Sequence, residues 1–460
     1  MSDRRIINVL IVICVLFLSL IGYLTYIQLA LADKISENPY NQRQWAYEAD
    51  IDRGTIYDRK GVSLAYSEKG ERIYPFNNMY SLVLGYNSQT YGKSMLEQDY
   101  NKILLGQYGI GGLNITGSKK SGYDLHLTID HELQKTAYDL IGSRSGAAVA
   151  INPKTGEVLA MVSRPDFNPN PKHLAADWNT IVDDPKSPLL PRAVSGLYAP
   201  GSTFKIITSS AALDFGLENE IFDDNGKITI DGKVISNSGG KAHGKLTFER
   251  AFQLSSNVAF CELGTKIGFN KLRETAEAFG FNAEPDYDFT AAKSRFPLKE
   301  TGKAETASLA MGQGEILATP LQMALTACAV ANDGVIMKPY IVDRAENKNG
   351  VSVISAKQKQ QSIAMSPENA EYIKQMMVDT VKNGTGTAAR INGITVAGKT
   401  GTAENEESVK QKNKEHTWFV AFAPAEDPQI AVAVKLEYSG GYGSSQCGPI
   451  VRGIINKYLK

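Results

Sequence analysis

The chain has 460 residues, enough for two or three domains. Its 49 basic and 49 acidic residues cancel and its hydrophobic content is an ordinary 43%, so nothing in the charge balance points to nucleic acid or to a membrane-surface binder. Five histidines and four scattered cysteines form no Cys-x-x-Cys and no ligand cluster, so neither a metal nor another cofactor is expected.

Arg4-Arg5 precede an apolar run from Ile6 to about Leu29. As a helix that run is about 36 Å long, enough for a hydrocarbon core of roughly 30 Å. The two arginines place the N-terminus in the cytoplasm and everything after Asp33 outside. Ala30-Leu31-Ala32 resembles a signal-peptide cleavage site, but the run is longer than a signal-peptide core, which favours an uncleaved anchor. Cys14 then lies in the membrane and Cys261, Cys328 and Cys447 outside, an odd number that suggests buried thiols and no disulfide framework.

A polar stretch from Asn38 to Glu48 leads to Asp52–Ala65, read as a solvent-exposed hairpin with a charged turn at Asp58 to Gly61 and a structural role. Residues 68–120 have no strong period. Leu125 to Asp130 alternates as a strand, and His131 to Ile141 is helical. After a small-residue linker, Gly142 to Gly146, two apolar strands at 147–152 and 157–162 flank the turn Pro153-Lys154-Thr155-Gly156. Further strands are expected at Ile394–Gly398, Thr417–Ala423 and Ile430–Leu436. Helices are expected at 202–213, 248–260, 270–279, 320–331, 367–382 and 450–458. Strands at both ends with helices between them imply an α/β sheet whose first and last parts meet in space.

Three stretches carry chemistry. In Tyr198-Ala199-Pro200-Gly201-Ser202-Thr203-Phe204-Lys205, Ser202 and Lys205 share one face of a helix buried on all sides, so their heads could touch. A serine needs a base, and burial lowers a lysine's pKa enough to make it one. Ser238-Gly239-Gly240-Lys241 has the same spacing but is too glycine-rich to hold the pair on a helix. Ser255-Ser256-Asn257 offers a hydroxyl for proton relay and an amide to hold Lys205 or substrate; its bland reading is a helix cap. Ser36-Glu37-Asn38 repeats that spacing beside the anchor. Lys399-Thr400-Gly401-Thr402, on or just after a strand, offers a cation, two hydroxyls and a glycine that admits a substrate backbone. The Thr402 and Ser202 N–H groups could form an oxyanion hole. Lys154-Thr155-Gly156 is explained by its hairpin turn.

Ser-x-x-Lys, Ser-x-Asn and Lys-Thr-Gly in that order form the penicilloyl serine transferase signature. With them the chain resembles a class B penicillin-binding protein, a monofunctional peptidoglycan D,D-transpeptidase, over nearly all its length after the anchor. Arg53-Gly54-Thr55-Ile56-Tyr57-Asp58-Arg59 is similar to the family's pedestal motif. Met311-Gly312-Gln313-Gly314 resembles the segment before its cleft-lining helix, and Gly440 to Ser445 is similar to family sequences near the C-terminus. The segment between anchor and catalytic unit is too short for the glycosyltransferase domain of class A proteins.

The resemblance implies an α/β chain: a cytoplasmic tail (1–5), a transmembrane helix (6–29), a mostly β pedestal (33–145), and a transpeptidase domain (146–460) with an antiparallel sheet flanked by helices and an all-helical part. It implies that Ser202 attacks the penultimate D-Ala carbonyl of a stem peptide ending D-Ala-D-Ala. Lys205 would be the base, and Ser255 and Asn257 would relay and position. Lys399, Thr400 and Thr402 would clamp the carboxylate beside Gly401. β-Lactams would acylate Ser202, and a polytopic membrane glycosyltransferase of the SEDS class would be a partner. Ser256 stands where many relatives have Asp. A D,D-carboxypeptidase, a serine β-lactamase and a silent sensor or scaffold are the alternatives.

Overall fold

The computed structural model describes residues 2–31, 45, 48, 51–107, 121–404 and 414–460. Ser36-Glu37-Asn38 and most of the polar stretch after the anchor lie outside the described residues. The N-terminal helix Ser2–Tyr26 runs into a π-helical turn, Ile27–Leu31. Among the described residues, Arg4–Leu31 is the helix long and apolar enough to cross a membrane, with mean hydropathy 2.8 in its most apolar window. Its side chains are exposed from Arg4 to Tyr26, as suits a lipid-facing anchor.

The hairpin expected at 52–65 forms: Ile56–Tyr57 pairs antiparallel with Ser63–Glu68, Ile56 opposite Ala65. Arg59, Lys60 and Gly61 of its turn are exposed and the two cations are paired, Lys60 with Asp130 at 2.7 Å and Arg59 with Glu157 at 3.6 Å, as read from the sequence, but Asp58 departs from that reading. Asp58 is completely buried. Its Oδ1 accepts from the Lys60 and Val62 N–H groups at 2.8 and 2.7 Å, and its Oδ2 from the His131 N–H at 3.1 Å. The aspartate thereby closes its own turn and ties it to the start of helix His131–Ile141.

Arg53 is buried too, in a network that short-range pattern cannot reveal. Fully buried Glu97 accepts from Arg53 Nε at 2.6 Å and Arg72 Nε at 2.7 Å. Arg53 also donates to Asn101 Oδ1 at 2.6 Å, and Arg72 to the Gly54 carbonyl at 2.8 Å. Burial pushes the Glu97 carboxyl up, but the two guanidinium groups outweigh it and hold the pKa below its ordinary value. Glu97→Gln leaves two buried guanidinium groups facing a neutral amide, and should cost about 3–5 kcal/mol of stability. Denaturant unfolding of the full chain in detergent, against wild type, checks this.

The pedestal sheet has six strands in the order Ser352–Ser355, Val342–Glu346, Asp124–Leu127, Ile56–Tyr57, Ser63–Glu68, Glu71–Ile73. Val342–Glu346 pairs antiparallel with Asp124–Leu127, Ala345 opposite Leu125. Two strands from far along the chain thus complete this sheet and fasten it to the rest of the molecule.

The second sheet has five antiparallel strands in the order Ala397–Ala403, His416–Ala423, Ile430–Leu436, Gly146–Ile151, Val158–Arg164. Its first and last parts meet as expected, with Ala433 opposite Val149. The strands are apolar on both faces because helices cover both. Val149, Met161, Val420 and Ala433 face a core that includes helix Pro320–Ala331. Ala148, Val162, Phe419 and Val434 face one that includes helices His131–Ile141 and Gly443–Leu459.

Three boundaries differ from expectation. The strand expected at 394–398 runs from Ala397 through Ala403, so Lys399-Thr400-Gly401 lies within an edge strand. The closing helix starts at Gly443 rather than Ile450. The helix expected at 248–260 is two helices, Phe248–Leu254 and Asn257–Ile267. Ser255 takes a left-handed conformation (φ 59°) between them, and Ser256 caps the second by accepting from the Ala259 N–H at 3.1 Å. Cys261, Cys328 and Cys447 are buried free thiols.

Candidate active site

Pro200-Gly201 makes the turn that presents Ser202. Gly201 has φ +54°, and a Cβ there would lie 2.5 Å from the Thr402 carbonyl oxygen, so only glycine fits. The Gly201 N–H donates to the Gly312 carbonyl at 2.9 Å, which docks Met311-Gly312-Gln313-Gly314 behind the serine. The helix expected from 202 begins as a 3-10 turn, Gly201–Phe204, and becomes α-helical at Lys205–Asp214. Ser202 is part-exposed at its start, while Lys205 through Ala212 are buried. Thr208 Oγ1 donates to the Ala310 carbonyl at 2.7 Å and fixes the helix against Lys303–Ala310.

The structure brings the three motifs together around two lysine heads. Lys205 Nζ donates to the Ser255 carbonyl at 2.8 Å, Asn257 Oδ1 at 2.8 Å, the Ser256 carbonyl at 3.2 Å and Ser255 Oγ at 3.3 Å. Lys399 Nζ donates to the same Ser255 Oγ at 2.9 Å and to the Thr400 carbonyl at 3.2 Å. The Ser255 hydroxyl is therefore held between two amines. Its own proton is left free to point toward a reacting group. Ser202 Oγ is not among the four acceptors of Lys205, and among the described residues it has no hydrogen-bond partner.

Both lysines are completely buried. Complete desolvation lowers the Lys205 pKa to about 7, against smaller opposing contributions from Cys261 and then Asp224. Desolvation, aided by the nearby Lys205, drives the Lys399 pKa well below its usual range. Lys205 stands 5.1 Å from the Phe260 ring centre and Lys399 5.5 Å from that of Phe252, so each keeps a soft partner when protonated. A buried amine that titrates near neutrality can take a proton and give it back.

The edge strand supplies the other wall. Thr402 is part-exposed, and its carbonyl closely approaches Gly201, the residue before Ser202. On the outer side of an edge strand the backbone polar groups have no strand neighbour. The Lys399 head turns inward to Ser255, and the Thr400 hydroxyl donates to Thr385 Oγ1 at 2.8 Å. What approaches Gly401 is the chain itself: a Cβ there would meet Thr203 Cγ2 at 3.0 Å and the Pro200 carbonyl oxygen at 3.1 Å. The repeated motifs stay apart. Ser238 and Lys241 sit on an exposed turn, and Lys154 is an exposed partner of Asp427.

Sequence reasoning missed the residues that hold these groups. Asp224, completely buried, accepts from Ser256 Oγ at 2.7 Å and from Asn237 Nδ2 at 2.7 and 2.8 Å. Asn237 Oδ1 in turn accepts from the Asn257 N–H at 2.7 Å and the Val258 N–H at 3.2 Å. Trp418 Nε1 donates to the Ala199 carbonyl at 3.0 Å and braces the serine loop. No fixed spacing marks these residues; the one hint is an Asp and an Asn in an otherwise plain hairpin region.

Residues 146–456 match the penicillin binding protein transpeptidase domain family, and residues 53–112 match the penicillin binding protein A dimerisation domain. The chain is 34% identical over 489 aligned positions to the peptidoglycan D,D-transpeptidase PbpA of Mycolicibacterium smegmatis, covering 98% of each chain. Among solved structures it is similar to the D,D-transpeptidase domain of a peptidoglycan glycosyltransferase from Eggerthella lenta. That match has TM-score 0.80 and 38% identity, and covers 89% of this chain and 99% of that one. It is also similar to penicillin-binding protein A from Mycobacterium tuberculosis in its ceftriaxone acyl-enzyme complex, with TM-score 0.84 and 32% identity over 90% of this chain and 99% of that one. With both domain families matched in order behind an N-terminal apolar helix, the chain belongs to the class B penicillin-binding proteins.

Proposed function

We propose that the protein is a serine-type peptidoglycan D,D-transpeptidase with Ser202 as its nucleophile. The observation that carries this reading is the hydrogen-bonded chain Lys205–Ser255–Lys399 beside a part-exposed Ser202 on a tight turn. Lys205 as the free amine takes the Ser202 proton while Oγ bonds to the penultimate D-Ala carbonyl carbon of the donor peptide. The Ser202 and Thr402 N–H groups receive the oxyanion. The C–N bond then breaks, the proton returns through Ser255 to the leaving nitrogen, and D-Ala departs. An amine from a neighbouring strand reverses the sequence on the ester and forms the cross-link. An extended donor peptide can lie along the free edge of Ala397–Ala403. Thr400 and Thr402 then stand near its terminal carboxylate, and Lys399 acts on it through charge and through Ser255. β-Lactams enter the same path and stop at the ester.

The division that goes with this function is a tail at 1–5, an anchor at 6–29, a pedestal at 33–145 and a transpeptidase unit at 146–460. Arg4 and Arg5 favour a cytoplasmic N-terminus and an extracytoplasmic catalytic unit. Anchor and pedestal together are the surface we assign to a polytopic glycosyltransferase of the SEDS class. The assay that tests the activity incubates full-length protein in detergent with a stem-peptide donor ending D-Ala-D-Ala and a D-amino-acid acceptor. Free D-Ala together with acceptor-joined product supports transpeptidation. Free D-Ala with hydrolysed donor alone identifies a carboxypeptidase, and no D-Ala release contradicts the reading.

A further inference from the structure

The Ser255-Ser256-Asn257 turn has an unusual task. It offers two carbonyls, a hydroxyl and an amide oxygen to one amine, from a single left-handed residue and the start of a helix. Its own bonds hold part of that geometry: the Ser255 and Ser256 N–H groups donate to the Phe252 and Ala251 carbonyls, and Ser256 Oγ caps the next helix. Further fixing comes from strand Ile221–Asp224 and from Asn237, which follows strand Lys233–Ser236.

We propose that Asp224 is a positioning residue for the reaction: through Ser256 and Asn237 it locks the turn that grips Lys205, and it supplies the buried negative charge facing that lysine. This rests on the reading of Ser202 and Lys205 given above.

The geometry is a closed chain of bonds. Asp224 Oδ2 accepts from Ser256 Oγ at 2.7 Å, and the Ser256 carbonyl accepts from Lys205 Nζ at 3.2 Å. Asp224 Oδ1 accepts from the Gly226 N–H at 2.9 Å, which anchors the carboxylate to its own turn. Both oxygens take Asn237 Nδ2, and Asn237 passes the constraint to the Asn257 and Val258 N–H groups. Asn257 is further held by donating Nδ2 to the Ser236 carbonyl at 2.9 Å. The carboxylate takes four hydrogen bonds from three donor groups on its two oxygens, completely out of water, and such a group is held rigidly.

The charge has few competitors. The groups facing Lys205 are Asp224, Cys261 on helix Asn257–Ile267, and Lys399 on the edge strand. Cys261 and, less, Asp224 raise the Lys205 pKa against desolvation. Burial pushes the Cys261 thiol itself up to about 12, which leaves Asp224 as the carboxylate among these groups. Lys205 and Lys399 repel each other.

The test separates charge from position. Asp224→Asn removes the charge; its oxygen keeps Gly226 and one Asn237 bond, while its amide replaces the oxygen that accepted from Ser256 Oγ and from Asn237 Nδ2. Its loss of charge is therefore read from the midpoint, and its loss of contacts from the plateau. Asn237→Ala keeps the charge and frees the backbone of Asn257. The rate of Ser202 acylation by benzylpenicillin is measured for the full-length protein in detergent from about pH 5 to about pH 9, where a general base near neutrality shows its titration. Wild type should rise with a midpoint of about 7. Asp224→Asn should move that midpoint down, as loss of an opposite charge does to a lysine. Asn237→Ala should lower the plateau about tenfold with no shift, the effect of unpaired buried donors and a loosened site. An unshifted or raised midpoint in Asp224→Asn overturns the charge role, and an unchanged plateau in Asn237→Ala overturns the positioning role. If Asp224→Asn does not fold, Ser256→Ala decides: a lower plateau supports the lock and an unchanged one sinks it. No adduct on Ser202 in wild type is a different failure, that of the site reading itself.

Discussion

Lys205→Met is expected to slow acylation of Ser202 by roughly 10²- to 10⁴-fold, the range a positioned general base contributes. Methionine keeps the length and apolar stem in a site that is fully buried. What it loses is the amine that bridges Ser255, Ser256 and Asn257. The carbonyls left without a donor cost stability, and release from burying an amine offsets part of that cost. The variant should therefore unfold at a somewhat lower temperature yet remain folded at the assay temperature. Thermal unfolding beside an acylation time course tells lost chemistry from lost structure. The same amine sets the pH dependence of wild type. With a pKa of about 7 it is a free base above neutrality, so acylation rises with pH through that value and falls as the amine is protonated. The sign for stability follows from the same shift. The unfolded lysine titrates at 10.5. Between the two values the unfolded chain binds the extra proton, so this residue's burial penalty shrinks as pH rises through the window and is full below it.

Ser255→Gly should lower acylation by roughly 10²- to 10³-fold while leaving the fold as stable or slightly more so. The choice of glycine matters. Ser255 sits at φ 59°, where a side chain is strained and glycine is not. Its carbonyl, which Lys205 also uses, is unchanged. What disappears is the hydroxyl between the two lysines, with nothing to relay a proton to the leaving nitrogen and no side-chain acceptor for Lys399. An acylation rate near wild type in a folded Ser255→Gly protein would remove Ser255 from the proton path.

The legible parts of this molecule were those set by local pattern. Five apolar strands could be read because each is buried on both faces and bounded by turns, and Ile430–Leu436 and Pro320–Ala331 fall at the residues expected. The three motif stretches stand out by their short spacings, and the structure brings them together around Lys205 and Lys399. The break at Ser255 could not be read, because neither glycine nor proline marks it. The turn is held in part by Asp224 and Asn237, which lie twenty and more residues upstream. The contact between Ser202 and Lys205 expected from helical spacing fails for a related reason: the turn at 255–257 offers the amine four better acceptors. Arg59 and Lys60 of the charged turn are solvated and paired as expected, because charges on a short loop usually are. The burial of Asp58 depends on the His131 N–H, far along the chain, and the burial of Arg53 depends on Glu97. The strands 342–346 and 352–355 joined the pedestal sheet through pairings no periodicity encodes.

The central claim is that Ser202 is the acylated residue, and intact-protein mass spectrometry tests it most directly. Full-length protein in detergent is incubated with benzylpenicillin, and the adduct is located by peptide mapping. The account predicts a stable adduct of one penicilloyl group on Ser202 that is absent from Ser202→Ala. An adduct on another residue, or an equal adduct on Ser202→Ala, would contradict it. An adduct that vanishes within seconds while drug is consumed would replace the transpeptidase with a β-lactamase.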